Sequence, residues 1–413
     1  MGIILAGVVL AVLMPAIDRA VDDDLGLKWA PDSLRSSLSA LASGMIAFTG
    51  FVFAGVIVAI SFGSTAFSTR LVKIFQRDLT TKTCLGVFIA TFVYALVLLN
   101  QIEYDGRGRI PTYSTVVALV LLILSIVAVF MLFSRLAGMM RAAGLARAIG
   151  REGLRAVATL PASGPSVAQP DAGIAAGATQ VVRHEGQRAT LVALDRDALV
   201  EWAASNDAVI TMETVIGGSL APGVPIMSVM GADRPPATER LLKFVVLDDE
   251  RSIEQDPAYA VRLLVDIAIK ALSPAINDPT TAVQALDHIE DLLVALQPRP
   301  LGTLQITDGS GASRLVVPGL DWHQYLQLAT TEIRHFGADS IQVDRRLLAM
   351  LDRLATQATG SATLLPILKQ RELVQELATL SFRSPDDQRE AQVADALGLG
   401  AARTPPMPSG APE

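Results

Sequence analysis

The sequence is poor in the residues that build metal and redox sites. It holds a single cysteine, Cys84, and four histidines that are scattered along the chain. One cysteine excludes an intrachain disulfide and a metal site made of several thiolates. His323 and His335 are twelve residues apart, whereas a zinc-binding pair on one helix lies about four residues apart. We therefore predict no metal site and no cofactor.

Motifs of the common enzyme classes are missing as well. The sequence has no G-x-x-x-x-G-K-[ST] phosphate loop, no G-x-S-x-G nucleophile turn and no H-E-x-x-H zinc motif. Asp287, His288 and Glu290 are typical of a charged helix face rather than of an active site. Positive charge is also scarce, since 34 basic residues face 41 acidic ones, which argues against a nucleic-acid partner. We expect no enzymatic activity.

Apolar residues are the abundant component, and they are concentrated near the N-terminus. Hydrophobic residues make up 51% of the chain and charged residues only 18%, whereas about 25% is usual in soluble proteins. Four uncharged apolar segments lie at 2–17, 40–62, 84–102 and 115–134. Since about 20 such residues span a bilayer as a helix, we predict four transmembrane helices in a domain at 1–135. The first segment is short, but it lacks the basic start and the cleavage site of a signal peptide.

The distribution of charge between these segments predicts their orientation, because basic residues favour the cytosolic side of a membrane. Basic residues dominate the connection at 63–83 and follow the fourth segment: Arg70, Lys73, Arg77, Lys82, Arg135, Arg141, Arg147, Arg151 and Arg155. Acidic residues dominate the connection at 18–39: Asp18, Asp22, Asp23, Asp24 and Asp32. Both termini are therefore predicted to lie in the cytosol.

The second apolar segment carries small residues along one side. At about 100° per residue, one helix face collects Ser43, Ala47, Gly50, Ala54, Ser61, Thr65 and Ser68. Small residues at this spacing allow helices to pack closely in lipid. The alternative is that this face lines a pore in an oligomer, where its hydroxyl groups would contact water. Since no apolar segment carries Asp, Glu, Lys, Arg or His, any conduction would be passive.

Distinct regions follow in the predicted cytosolic part. Residues 136–178 contain an Arg-rich amphipathic helix and then a flexible linker. The helix is expected at the membrane surface, either as a lipid-binding element or simply as a positive tail. Residues 179–248 are rich in strand patterns, and "LAPGVPIMSV" resembles half of a lipoyl-type β-sandwich without its modified lysine. Residues 249–398 are mainly helical, with a β-hairpin near 303–317, and 399–413 form a disordered tail.

The helical pattern is interrupted at "SPAINDP", residues 273–279. Asp278 is a favourable N-cap and Pro279 suits the first helical position, so the segment is complete as a joint between two helices. A joint needs one cap, yet five polar residues gather at this helix start: Ser273, Asn277, Asp278, Thr280 and Thr281. Helix starts also bind ligands through free N–H groups, and a small ligand, an ion or a partner's backbone would fit here. The sequence favours the joint and leaves a binding site open.

Three stretches of the sequence resemble one known family. They are "SFGSTAFSTRLVKIFQRD", "LVEWAASNDAVITMETVIGGSLAPGVPIMSV" and "IEQDPAYAVRLLVDIAIKALSPAINDPTTA". Together they resemble a family of predicted bacterial inner-membrane proteins that is catalogued as a domain of unknown function. The resemblance covers most of residues 40–345, and "LSPAINDPTTA" at 272–282 is its most specific part. It implies a location in the bacterial inner membrane and implies no chemistry.

The sequence thus predicts an α-helical multi-pass membrane domain with four transmembrane helices, followed by a cytosolic α+β domain. That second domain is expected to hold a small β-sandwich-like module and a helical C-terminal part. Two functions fit this organisation. One is an oligomeric passive channel or permeation protein with a cytosolic regulatory domain, and the other is a membrane-anchored scaffold or sensor without transport activity. The expected partners are the lipid bilayer, further copies of the chain, and a small ligand or ion.

Overall fold

A computed structural model describes residues 2–20, 30–66, 79–104, 111–139, 142–161, 180–231 and 238–399. The chain forms two compact units, Met1–Leu145 and Ala146–Glu413, called unit 1 and unit 2 below. The greater part of the expected linker at 160–178, and all but the first residue of the expected tail at 399–413, lie outside the described residues.

Unit 1 contains the apolar helices. Their bounds are α1 (Gly2–Ala20), α2 (Pro31–Ala66), α3 (Leu79–Tyr104) and α4 (Thr112–Met139). Three stretches are long and apolar enough to cross a membrane: Asp32–Val58, Leu79–Asn100 and Thr112–Arg135. The apolar part of α1, Leu5–Asp18, is shorter. Within the described residues, length and composition thus establish three candidate spans, where the sequence predicted four.

The helices of unit 1 pack through apolar side chains. One core cluster takes residues from all four helices: Ala11, Leu34, Leu38, Tyr94, Leu98 and Ala118. A second cluster joins α2, α3 and α4 through Met45, Cys84, Phe88, Ala128 and Leu132. Helix α1 approaches α3 closely at Gly7, where an added Cβ would lie 2.7 Å from the Cβ of Ala90.

Unit 2 contains two sheets. The strands are β1 (Gln180–Arg183), β2 (Ala189–Leu194), β3 (Val209–Met212), β4 (Ser219–Leu220), β5 (Pro225–Met230), β6 (Val245–Asp248), β7 (Leu304–Thr307) and β8 (Ser313–Val317). A five-stranded sheet has the order β1-β5-β3-β8-β7, and a three-stranded sheet has the order β4-β2-β6. Buried side chains from both sheets, such as Leu191 and Ile210, share one hydrophobic core.

The hairpin near 303–317 has a role that its sequence does not reveal. Strands β7 and β8 pair antiparallel, with Leu304 opposite Val317, and β8 also pairs parallel with β3, with Ile210 opposite Leu315. The sequence assigned this hairpin to the helical region after residue 249. In the structure it completes the larger sheet, because strand pairing connects segments that are about 100 residues apart along the chain.

The helices of unit 2 that follow β2 along the chain are α6 (Arg196–Ser205), α7 (Thr238–Leu242), α8 (Pro257–Ala271), α9 (Pro279–Leu296), α10 (Trp322–Phe336), α11 (Ile341–Gln357), α12 (Ser361–Ser381) and α13 (Pro385–Ala391). Helix α8 packs against α9 and α10, and α11 packs against α9 and α12. The α8–α9 pair therefore lies at the centre of the helical part, and the joint predicted at 273–279 connects its two members.

The amphipathic helix predicted from residue 136 is α5 (Ala142–Ala158), and its apolar face packs against protein. Its side chains Ile149, Ala156 and Val157 are buried. A Cβ added at Gly153 would lie 2.7 Å from the Cβ of Ala260 on α8, so the two helices almost touch. The expectation of a lipid-facing element is wrong for these residues, because the apolar surface of α8 and α9 covers them.

Candidate functional sites

The small residues of the second apolar segment lie on the outer face of α2. Ser43, Ala47, Gly50 and Ala54 are exposed, and an added Cβ on Gly50 would meet no atom within 4 Å. The opposite face carries Met45, Phe48, Val52 and Val56, which are buried or partly buried. Ser61 and Thr65 lie in α2, but their side chains are not described, and Ser68 lies outside the described residues.

The interior of unit 1 carries a few polar side chains, and they bond to one another or to the backbone. The hydroxyl oxygens of Thr91 on α3 and Ser125 on α4 are 2.9 Å apart. The Tyr94 hydroxyl donates to the carbonyl of Ser114 at 2.9 Å. Within the described part of unit 1, every buried side-chain oxygen or nitrogen has a hydrogen-bond partner. The buried polar side chains of the described helices are thus satisfied within a single copy.

The joint between α8 and α9 is a compact turn. The carbonyl of Ser273 accepts hydrogen bonds from the backbone N–H groups of Ile276 and Asn277, each at 2.9 Å. Asn277 has a φ of +48°, the left-handed region in which asparagine is tolerated better than most residues. The N–H of Asp278 then donates to the carbonyl of Ala271 at 2.8 Å, which closes the turn.

Asp278 caps α9 as the sequence predicted. Its carboxylate accepts a hydrogen bond from the Thr281 N–H at 3.1 Å and another from the Thr281 hydroxyl at 2.6 Å. The Ser273 hydroxyl donates to the carbonyl of Lys270 at 2.7 Å. Of the five predicted polar residues, the structure brings Asp278 and Thr281 together and turns Ser273 toward α8. Asn277 and Thr280 are exposed to solvent. The turn thus accounts for Ser273, Asp278 and Thr281 through their side chains and for Asn277 through its backbone conformation.

A second Asp-Pro pair, which the sequence analysis did not single out, caps α8 at Asp256. This carboxylate is buried and accepts hydrogen bonds from the Tyr259 N–H at 3.1 Å and the Arg251 Nε at 2.5 Å. The Arg251 guanidinium also lies 5.3 Å from the centre of the Tyr259 ring. Burial raises the pKa of Asp256, whereas the hydrogen bond from Arg251 lowers it. The repeated pattern "DPAY" and "DPTT" was the available signal.

Gly217 makes this second cap possible. Its φ is +83°, and an added Cβ would lie 2.2 Å from the Arg251 Nε and 2.4 Å from the Asp256 Oδ2. The turn "VIGGS" between β3 and β4 therefore lies directly on the ion pair at the start of α8. This contact joins the sheets of unit 2 to its central helix pair.

The acidic face of α9 is bound by arginines from α11. Arg346 donates its Nε to Asp287 at 2.8 Å and forms a second, short ion pair with Glu290. Arg353 lies 2.8 Å from the other carboxylate oxygen of Glu290. Glu290 is only 4% exposed, so removing either arginine would leave a buried ion pair short of a partner. The charged helix face that the sequence predicted is in part a buried ion-pair network between two helices.

Three helices long and apolar enough to cross a membrane, followed by a compact unit of sheets and helices, place the chain among membrane proteins with a second, mixed α/β unit. The chain belongs to the family described as "Predicted membrane protein (DUF2254)", which matches residues 1–353. The match includes both Asp-Pro caps and ends within α11.

Relatives of known sequence extend over nearly the whole chain. The chain is 28% identical over 420 residues to uncharacterized protein MT1328 of Mycobacterium tuberculosis, covering 96% of this chain and 76% of the relative. It has the same identity and coverage with uncharacterized protein Mb1321c of Mycobacterium bovis. No solved structure matches the chain.

Proposed function

We propose that this protein self-associates in the bacterial inner membrane and forms a passive permeation path between its copies, with unit 2 as a cytosolic regulatory domain. The observation that carries this proposal is the exposed face of α2 with Ser43, Ala47, Gly50 and Ala54. Because the buried polar side chains of the described helices already bond within one copy, we place the path where copies meet. Small side chains allow helices to approach closely there. We propose no catalytic role.

The proposal includes four spans with both termini in the cytosol. Asp18 near the end of α1 accepts hydrogen bonds from the start of α4. In an up-and-down bundle of four spans, the end of α1 and the start of α4 lie at the same face of the membrane. The acidic connection after α1 and the basic residues after α4 support the same orientation.

The alternative is a membrane-anchored scaffold or sensor without transport activity. A specific observation favours it: in the described part of the exposed α2 face, Ser43 is the member that carries a hydroxyl group. A face made of one serine, two alanines and one glycine suits a dry contact between two helices at least as well as a wet pore wall. In that case the same face would join copies without conducting.

Flux and oligomer size, measured together in liposomes, test the proposal. Gly50→Leu adds bulk at the centre of the exposed face and is expected to reduce both oligomer size and solute flux. Gly55→Leu is the matched control, because Gly55 is also open to 4 Å but lies about 140° around the helix from Gly50. Flux that is unchanged by Gly50→Leu would contradict a path along this face. An intact oligomer that conducts nothing would favour the scaffold or sensor.

A further inference from the structure

One carboxyl group in unit 2 is buried without a partner. Asp344 on α11 has no exposed surface, and neither of its carboxylate oxygens accepts or donates a hydrogen bond. Buried polar side chains almost always have partners, and an isolated buried charge is far more costly than an isolated neutral group. A carboxyl in this position is therefore expected to hold its proton while the surrounding helices are packed.

The two arginines that follow Asp344 in the sequence are paired with other groups. Arg345 donates its Nε to the carbonyl of Val393 at 3.0 Å and lies 3.2 Å from Glu390. Arg346 binds Asp287 and Glu290 on α9, as described above. Successive helical residues point about 100° apart, so these side chains leave Asp344 on a face of its own.

The other helices packed around α11 are α9, α10, α12 and α13. Charged groups on these helices form ion pairs with groups other than Asp344: Glu332 with Arg262, Arg371 with Asp352, Lys369 with Glu372, Glu390 with Arg345, Asp386 with Arg389, and Asp287 and Glu290 with Arg346. Arg334 on α10 interacts with Glu376, and His335 is in ring contact with Phe336. Burial, and then the negative charge of Asp339, raise the pKa of Asp344 to about 8.

The segment that follows α13 is held by the same part of α11. The carbonyl of Arg345 accepts a hydrogen bond from the Asp395 N–H at 3.1 Å. The amide of Gln342 donates to the carbonyl of Gly398 at 2.6 Å. Residues 393–398, called the C-terminal strap below, thus lie across the turn of α11 that contains Asp344. Any loosening of this turn would release the strap.

We propose that Asp344 is a proton-binding site: the protonated carboxyl keeps α11 packed and the C-terminal strap bound, and loss of the proton releases both. The site takes a proton and no larger ligand, since the carboxyl has no exposed surface. It makes the packing of unit 2 sensitive to pH, independently of whether the protein conducts. The proton leaves to solvent when the turn opens.

The sign of the pH effect follows from the direction of the shift. The folded state holds the proton up to a higher pH than the unfolded chain does, so the folded state binds more protons between about pH 4 and pH 8. Stability therefore falls as pH rises through this window and levels off above it. Replacing the carboxyl by a neutral amide should remove this part of the pH dependence.

Thermal unfolding of the full-length protein in detergent, from pH 6 to pH 8, measures this effect. The parent is expected to lose about 5–10 °C of melting temperature over this range. Asp344→Asn should lose less than half as much, whereas Asp386→Asn, at a side chain that is 81% exposed, should behave as the parent. Parallel profiles for the parent and Asp344→Asn would overturn the proposal.

Infrared difference spectroscopy on the parent decides the matter even if Asp344→Asn does not fold. Between pH 6 and pH 9, the parent should lose the band of a protonated carboxyl and gain that of a carboxylate. Hydrogen exchange in residues 393–398 should rise over the same interval, relative to the intrinsic rate at each pH. The proposal of a proton site coupled to the strap is refuted if the parent shows no titrating carboxyl band in this interval. It is also refuted if hydrogen exchange in the strap only follows the intrinsic rate.

Discussion

The carboxylate of Asp18, near the end of α1, accepts a hydrogen bond from the backbone N–H of Tyr113 in the first turn of α4 at 2.8 Å. Its second oxygen accepts from the N–H of Ser114 at 3.0 Å and from the Ser114 hydroxyl. Asp18 and Tyr113 are 95 positions apart along the chain, yet Asp18 acts as the N-cap that α4 lacks in its own sequence. This contact ties the shortest apolar helix to the bundle.

We expect Asp18→Ala to destabilise unit 1 by about 1 kcal/mol, the usual value of an N-cap, because the first N–H groups of α4 lose their acceptor. Thermal unfolding of the purified protein in detergent measures the loss. Asp32→Ala is the matched control, since Asp32 is exposed in the first turn of α2. Equal melting of Asp18→Ala and the parent would show that the cap contributes nothing.

The joint between α8 and α9 yields a second prediction. Asp278→Ala should lower the stability of unit 2 by about 1 kcal/mol, and Thr281→Val should lower it by less, because only the hydroxyl hydrogen bond is lost. Thr280→Val, at an exposed side chain, should leave the melting temperature unchanged. If Asp278→Ala melted like the parent but altered solute flux, the segment would be a site rather than a joint.

Gly217 and Gly223 allow backbone strain to be separated from crowding. Both have a φ of +83°, but an added Cβ would collide with Arg251 and Asp256 only at Gly217. Gly223→Ala should cost about 1 kcal/mol for the left-handed backbone alone. Gly217→Ala should cost clearly more, since the ion pair at the start of α8 must also move. Chemical denaturation of both variants tests the difference, and equal losses would mean that the ion pair adapts without cost.

The orientation of the chain is testable with fusions at the C-terminus. A green fluorescent reporter fused after residue 413 should fluoresce, because it folds in the cytosol. Alkaline phosphatase fused at the same place should stay inactive, because it works only on the other side of the membrane. The basic residues after α4 are the reason for this expectation. Active phosphatase at this position would place the C-terminus outside the cytosol and contradict an even number of spans with a cytosolic N-terminus.

The sequence by itself determined the features that depend on neighbouring residues. Uninterrupted apolar runs predicted three helices that the structure finds long enough to cross a membrane. The pair Asp278 and Pro279 predicted the start of α9, because a cap and the helix it serves lie within four residues. The hairpin of β7 and β8 was likewise visible from a Gly-rich turn between two short apolar strands.

Only the tertiary structure decided which distant segments meet. Nothing local pairs β8 with β3, directs the apolar face of α5 onto α8, or makes Asp18 the cap of α4. The isolation of Asp344 next to two arginines is the clearest case. The sequence "DRR" by itself suggests an ion pair between neighbours. In the helix, however, successive side chains point about 100° apart, and the two arginines form ion pairs with carboxylates on α9 and α13. The packing of helices against one another determines which charged groups form ion pairs, and the order of residues along one helix does not specify that packing.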